Sequence, residues 1–286
     1  MTRYENLTLD EERALYGIHG AVVENCTFDG PADGESALKE CGDIAVYNCD
    51  MRLRYPLWHV HRAELKDVRM TDTCRAALWY DSDVTIKNSK LHGIKALREC
   101  DRSNLIGCDI ISPEFGWFDR GVNIQDCTLQ AEYAFMHSRD MDIKGLHMTG
   151  KYSFQYVQDV VIRDSVLDTK DAFWHSQNVT VYDSVVKGEY LAWYSEGLTL
   201  IRCKISGTQP LCYCKGLKLI NCAMIDTDLA FERSEVEADI TTEVISIKNP
   251  LSGRISVPAV GEIIRDIPGA DGEVVVTGPG RANICA

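Results

Sequence analysis

Between Asp171 and Glu232 the sequence gathers side chains able to move protons and grip a polar ligand. Asp171, Tyr190, Gln209 and Asp228 recur at one fixed interval, and four places further on in each line stand His175, Tyr194, Tyr213 and Glu232. Acids and a histidine give or take protons near neutral pH, while tyrosine and glutamine orient hydroxyls. Trp174 and Trp193 continue a series holding all five tryptophans, with Trp58, Trp79 and Trp117, and with Met136 and Phe231 between. Lys39, Arg98 and Gln155 share that place in the line and are ill suited to a dry core, so the series is expected to face outward or into a groove. Flat rings beside polar groups suit sugars, and equally a protein partner. The candidate acid–base groups are Asp171, His175, Asp226, Asp228 and Glu232; the candidate binding surface is Trp174, Tyr190, Trp193, Tyr194, Gln209 and Tyr213.

Spacing restrains that chemistry. Asp171 and Asp228 stand three repeats apart, roughly 14 Å on stacked strands and too far for the paired carboxylates of glycoside hydrolysis. His59, His137 and His175 share one place in the line, but the nearest two are about 10 Å apart, beyond the reach of one ion. His59 and His61 form an H-x-H without a third ligand, and Cys212 and Cys214 a C-x-C without a second pair. Cys26, Cys49, Cys108, Cys127, Cys203 and Cys222 alternate with Ser89, Ser165 and Ser184 at one small position, which reads as a buried stack rather than a metal ladder. No metal and no cofactor is expected.

The elements that must position these residues follow from the repeat itself. Val160 to Glu235 reads as four lines of equal length, VVIRDSVLDTKDAFWHSQN, VTVYDSVVKGEYLAWYSEG, LTLIRCKISGTQPLCYCKG and LKLINCAMIDTDLAFERSE. A unit so short cannot bury its own apolar face and must stack on its neighbours, which makes the fold a solenoid. Each line opens on an i, i+2 apolar pair such as Val160 and Ile162, the period of a strand with one buried face. Two residues on comes a bend at Asn25, Asn48, Asp67, Asn88, Gly107, Asp126, Gly145, Asp164, Asp183, Arg202 and Asn221, mostly types that tolerate left-handed backbone. Then follow the small position, another apolar residue and a third segment such as AFWHS or LAWYS. The opening residues run from Ala21 through Ile44, Ala63 and Val84 to Leu217, and further steps of the same size extend them to Val236, Ile255 and Val274. Two early lines are longer, with extra residues around Gly30 to Gly34 and around Thr73.

The expected fold is therefore all-β: a single-stranded right-handed parallel β-helix of about 19 residues and three short strands per coil. Thr8 and Glu11 form a T-x-x-E capping box that predicts a short N-terminal helix covering the open end. The expected layout is a helical cap over 1–17, regular coils over 21–235, and degraded coils with a C-terminal cap over 236–286. The block AFWHS, GEYLAWYS, TQPLCYC and DTDLAFE resembles an uncharacterised bacterial family of unknown function with the pectin-lyase-like right-handed β-helix. Asp226-Thr227-Asp228 resembles the N-T-D of pectin-degrading hydrolases of that fold, but their acidic pair and Gly-His are missing, so the resemblance implies a fold and no activity.

A net charge of −13 repels nucleic-acid backbones and anionic membranes, so neither is an expected partner. The start MTRYENLTLDEERALYG lacks the apolar core of a signal peptide, and with twelve cysteines this suggests reduced thiols in a cytoplasm. Stacking brings Cys26 near Cys49, Cys108 near Cys127 and Cys203 near Cys222, yet free thiols are expected. Two function classes follow: a carbohydrate-directed protein, hydrolase or lyase if an enzyme, with a saccharide ligand on the aromatic and acidic face; or a non-catalytic scaffold whose aromatic stripe joins copies of itself or a protein partner.

Overall fold

One bend per line sets the coil. In the computed structural model, which describes residues 1–30 and 35–278, all eleven bend residues from Asn25 to Asn221 have φ between 48° and 64°. Asn, Asp and Gly bear that region at least cost. Arg202 adopts it too, its guanidinium bonded to the Asp183 carboxylate one coil back at 2.6 and 2.7 Å. One strand precedes the bend, as in Ser82–Lys87, and a second follows it, as in Lys90–His92, while Leu217–Asp228 runs through its bend unbroken. Every pairing between coils is parallel. The result is an all-β parallel solenoid of the right-handed type, with about 14 turns about 19 residues apart.

The coils group into two units, Met1–Gly150 and Lys151–Ala286. In the first, Val84 pairs with Ser103 and Ile86 with Leu105, while Ala21↔Ile44 and Ala63↔Val84 mark the two longer coils. The second of these carries its extra residues in a turn at 72–73, and most of the first insertion, 31–34, lies outside the described residues. Inward side chains from three directions meet in a dry core: Ile86, Leu105 and Ile124 from the first sheet, Leu91, Ile110 and Leu129 from the second, and Leu97, Phe115 and Phe135 from the third segment. Each such burial contributes about 1.5–3 kcal/mol. Among the described residues of Met1–Gly150 the third segment is a strand only at Leu57–Trp58, Leu78–Trp79 and Leu97–Arg98.

Residues 1–17 form no helix. Thr2–Glu5 is a strand pairing in parallel with His19–Glu24, Asn6 makes the bend at φ 58°, and Thr8–Leu9 pairs with Thr27–Phe28. Beyond it the N–H groups of Arg13, Leu15 and Gly17 bond to the carbonyls of Glu35, Ala37 and Lys39 in the next coil. A helix of two turns is marginal by itself, whereas the neighbouring coil offers a partner to every second amide. Stacking overrides the capping box, and this stretch is simply the first coil.

From Lys151 to Ser234 the third segment contains no strand, whereas in the coils beyond it Val244–Lys248 pairs with Val260–Ile264. Tyr152, Phe154 and Tyr156, then Asp171, Phe173 and His175, Tyr190, Ala192 and Tyr194, and Gln209, Leu211 and Tyr213 all have φ between 46° and 63°. Every second residue is left-handed, a conformation costing about 1–2 kcal/mol per side-chain-bearing residue. Hydrogen bonds to the next coil hold it, among them Tyr156 N–H to Trp174 O at 2.9 Å and His175 N–H to Trp193 O at 3.0 Å. Underneath, Phe154 and Phe173 stack 5.0 Å apart in a core shared with Ile162, Val181, Leu167 and Val186. At the C-terminal end Leu217 pairs with Val236 as the repeat predicts, but Val236 pairs with Gly253 and Ala238 with Ile255. That coil is shorter than the repeat by two, so Ile255 occupies the second apolar place of its pair; Ile255↔Val274 restores the full step. Of the span 236–286 expected to hold degraded coils and a C-terminal cap, residues 279–286 lie outside the described residues.

Candidate functional site

The alternating left-handed segment throws its outward side chains into rows that repeat coil by coil in the unit from Lys151. One row is a column of rings: Tyr156 and His175 lie 5.0 Å apart and 3° from parallel, His175 and Tyr194 5.1 Å and 9°, Tyr194 and Tyr213 4.9 Å and 14°. Tyr156 is 46% exposed and Tyr194 45%. Trp174 and Trp193 form the adjoining row at 5.4 Å and 3°. Their indole N–H groups donate to the carbonyls of Tyr190 and Gln209 at 2.7 and 2.8 Å. Tyr190 and Tyr213 meet Trp193 edge-on at 5.4 and 5.2 Å. Stacked rings turn their faces to one another, so this surface offers solvent ring edges, phenol hydroxyls and an imidazole.

Asp171, Tyr190 and Gln209 stand in register in the third row, as the spacing predicts. Asp171 is only 5% exposed. Its burial pushes the carboxyl above the usual carboxylate range; Lys170 pulls it down and Glu189 pushes it up.

The last coil departs from the spacing. A β-bulge between Ser206 and Gly207 leaves Asp226 as the extra residue, left-handed at φ 52° and exposed, and pairs Gly207 with Thr227 and Thr208 with Asp228. The residues from Thr227 to Ser234 are shifted by one, until Leu217↔Val236 restores the step. Leu229 takes the place after Gln209 and Arg233 the place after Tyr213, as their left-handed φ of 51° and 54° show. Asp228 and Glu232 therefore drop out of the two polar rows, and Phe231 leaves the tryptophan series for the core, where it is fully buried behind Leu211. Glu232 falls in line with Cys212 and is held by Lys248 at 3.1 Å, close enough to Tyr213 to help burial raise its phenol. The structure thus brings together Trp174, His175, Tyr190, Trp193, Tyr194 and Tyr213, with Asp171 and Gln209 beside them, and moves Asp226, Asp228 and Glu232 out of register.

In Met1–Gly150 the tryptophan series is a cation–π ladder. Lys39 Nζ stands 4.0 Å over the Trp58 ring, Trp58 and Trp79 stack at 5.7 Å, and the Arg98 guanidinium lies 5.7 Å from Trp79 and 5.3 Å from Trp117. This is why two cations share a half-buried position with tryptophans: ring faces replace water around the charge. The H-x-H pair separates, His59 to Glu40 at 3.2 Å and His61 to Ser82 at 2.7 Å. Among the described residues no three metal-ligating side chains converge, and all eleven described cysteines are free and buried.

Two acids escape a reading of the sequence. Asp81 and Asp119 are fully buried, each accepting one bond at 2.7 Å, from the N–H of Val60 and of Cys100, with the second oxygen unpartnered. Burial pushes both carboxyls well up. The available signal is an acid at a position that elsewhere holds Cys41, Cys100, Ser138 or Ser176.

Parallel coils, left-handed bends and one continuous apolar interior within each unit define a parallel β-helix. The chain belongs to the family described as "Protein of unknown function (DUF3737)", whose model matches residues 2–276. Among solved structures it is similar to the A-module of the Azotobacter vinelandii mannuronan C-5 epimerase AlgE6, at 8% identity and a TM-score of 0.36 over 98% of this chain and 89% of that one. It is similar also to PfbA, a surface adhesin of Streptococcus pneumoniae, at 10% identity and TM-score 0.33 over 85% and 74%. A third is the catalytic domain of a GH87 alpha-1,3-glucanase in complex with nigerose, at 10% and 0.29 over 97% and 63%. No curated protein matches the chain in sequence.

Proposed function

We propose that the protein is carbohydrate-directed and that it binds an extended glycan along the exposed edge of the Tyr156–His175–Tyr194–Tyr213 column. The observation that carries this reading is the constant step of 4.9–5.1 Å between these rings, each presenting a hydroxyl or an imidazole nitrogen. A row of similar donors and acceptors at one spacing suits a linear polymer of hydroxyl-bearing units better than a compact metabolite. Asp171 and Gln209 flank the row, and the tryptophan edges supply apolar border.

Binding is favoured over cleavage. Asp171 is buried, Glu232 is neutralised by Lys248, Asp226 is the extra residue of the bulge and Asp228 is out of register with the column, so these four carboxyls do not line the column as a pair. The test is a thermal-shift screen of the parent, His175→Ala and Tyr194→Ala against linear oligosaccharides. Saturating ligand should raise the parent Tm by a few degrees and leave both variants unmoved.

The exposure of Tyr156 and Tyr194 favours one rival, a contact between two copies through the same uncharged rings. If no sugar moves the parent and Tyr194→Ala changes only the elution volume on a sizing column, that rival replaces the glycan reading.

A further inference from the structure

A step of about 5 Å belongs to every stack of parallel coils. What sets the ring column apart is that its polar tips are uncommitted. Among the described residues the side chains of His175, Tyr194 and Tyr213 make no hydrogen bond and no ion pair. Charges on the same face are paired off: Lys170 with Glu189 at 2.8 Å, Lys215 with Glu196 at 3.0 Å and Lys248 with Glu232 at 3.1 Å. Gln177, Glu196 and Lys215 form the row two residues beyond the rings, in register from coil to coil. Arg233, in the place after Tyr213, and Glu235, two residues on, mark the end of the uncharged stretch, and both are exposed. Three free tips in line, each able to donate and to accept, therefore suit a ligand with hydroxyls and no charge opposite them.

The row also fixes the shape of what can lie along it. Its rings depart from parallel by only 9° and 14° at these two steps, so a ligand that meets all three tips must be nearly straight. Its repeat must match the steps of 5.1 and 4.9 Å, because hydrogen bonds tolerate only a few tenths of an ångström. An extended peptide fails this test: residues on one of its faces recur about every 6.6 Å, so it drifts by about 1.6 Å at each coil. A chain of pyranoses joined by equatorial bonds at the first and fourth carbons advances by one ring and one bridging oxygen, roughly 5 Å, the same as the spacing of neighbouring strands. An axial bond at either carbon turns the chain at every link and lifts it off a straight row. A link through the exocyclic sixth carbon adds a further bond and lengthens the repeat.

We propose that the ligand of the column is an uncharged glycan of 1,4-linked pyranoses with equatorial bonds at both carbons, met one ring per coil by His175, Tyr194 and Tyr213. The inference rests on the glycan reading of the column and adds to it the linkage, the charge and the shortest length that engages every tip.

The experiment is calorimetric titration of the full chain with two series of this linkage, cellobiose to cellotetraose and mannobiose to mannotetraose, and with maltotetraose and isomaltotetraose. Tyr194→Phe and Tyr213→Phe remove a hydroxyl and keep the stacked ring, so both are expected to fold. The control is Gln130→Ala, exposed on the second sheet of Met1–Gly150. In at least one series the trisaccharide, the first to reach all three tips, should bind about three- to tenfold more tightly than the disaccharide. Each Phe variant should weaken it by a similar factor, and Gln130→Ala should leave it unchanged. Maltotetraose and isomaltotetraose should bind the parent more weakly than the tetrasaccharide of that series. If either binds as tightly, and Tyr194→Phe weakens it, the glycan reading stands and the linkage falls. If the trisaccharide binds no more tightly than the disaccharide, the match of one ring per coil falls. If no oligosaccharide binds the parent, or both Phe variants bind as the parent does, the column is not the site, and reading and inference fall together.

Discussion

Trp174 and Trp193 lie face to face, 5.4 Å apart and 3° from parallel, with each indole N–H committed to a backbone carbonyl of the following coil. The pair is a bolt between coils before it is anything else. Trp193→Ala should remove stacking worth about 0.5–1.5 kcal/mol together with half-buried apolar area, about 2–3 kcal/mol in all. Tyr194→Ala, at an exposed position in the adjoining row, should cost about 1 kcal/mol or less. Urea midpoints of the two variants check this, and a Trp193→Ala protein as stable as the parent would contradict it.

Asp81 and Asp119 make stability depend on pH. Their folded carboxyls are raised well above the ordinary value, so the neutral form is the one the core accepts. The contribution is complete below about pH 4, where the unfolded carboxyl is also protonated. Above that, the unfolded state ionises first, and stability falls by about 1.4 kcal/mol per pH unit and group until the folded carboxyl also loses its proton. Asp119→Asn cannot ionise and keeps an oxygen to accept from Cys100 N–H. It should gain on the parent as the pH rises above about 4 in denaturant titrations; a difference independent of pH would show that the carboxyl is not held neutral.

Gly207 stands at the bulge with φ 132°, and a Cβ there would fall 1.9 Å from the Gly188 carbonyl oxygen. Gly207→Ala should therefore cost several kcal/mol or prevent folding. Gly17→Ala is the control: it is equally left-handed at φ 67° but has nothing within 4 Å, and should cost about 1 kcal/mol. Equal losses in the two variants would mean that the close approach at Gly207 does not matter.

The cysteines should react only when the protein opens. Cys108 is lowered to about 7 by its bond with Cys127, whose thiol is pushed up in return, and Cys222 and Cys203 repeat the relation. All four are buried, so burial rather than acidity decides access. Thiol titration without reductant should find close to twelve groups in denaturant and few in the native protein. A denatured count near six would mean that disulfides had formed.

The fold is legible because one bend residue per line, from Asn25 to Asn221, and one apolar pair before it survive almost every coil. The candidate site is legible only as far as the period stays whole. Nothing in Ser206-Gly207 or Asp226 announces a bulge without the neighbouring coil to count against, so the sequence alone puts Asp228 and Glu232 one row out. The N-terminal strands are hidden for the opposite reason. A local signal, Thr8 with Glu11, is strong when read alone, and it obscures the match of Thr2 to Ala21. Lys39 and Arg98 are recognisable as foreign to a dry core, but a sequence does not reveal that a ring lies above or below a charge.

The alternating left-handed segment has a consequence for how this chain tolerates change in length. Each of its strained residues is held by the coil beside it, so a coil deprived of neighbours carries the strain without the bonds that offset it. Loss of a single residue within it, for example Ala192, would set Tyr194 one place out of register with His175, although Tyr194 and Tyr213 would keep their step. Loss of one whole line, from Val179 through Gly197, would bring Asn178 directly to Leu198 with all later registers kept. Within the left-handed segments of the regular coils length is therefore quantised by the whole coil, and the odd residues of this chain are taken up elsewhere, in the turn at 72–73 and in the bulge at Asp226.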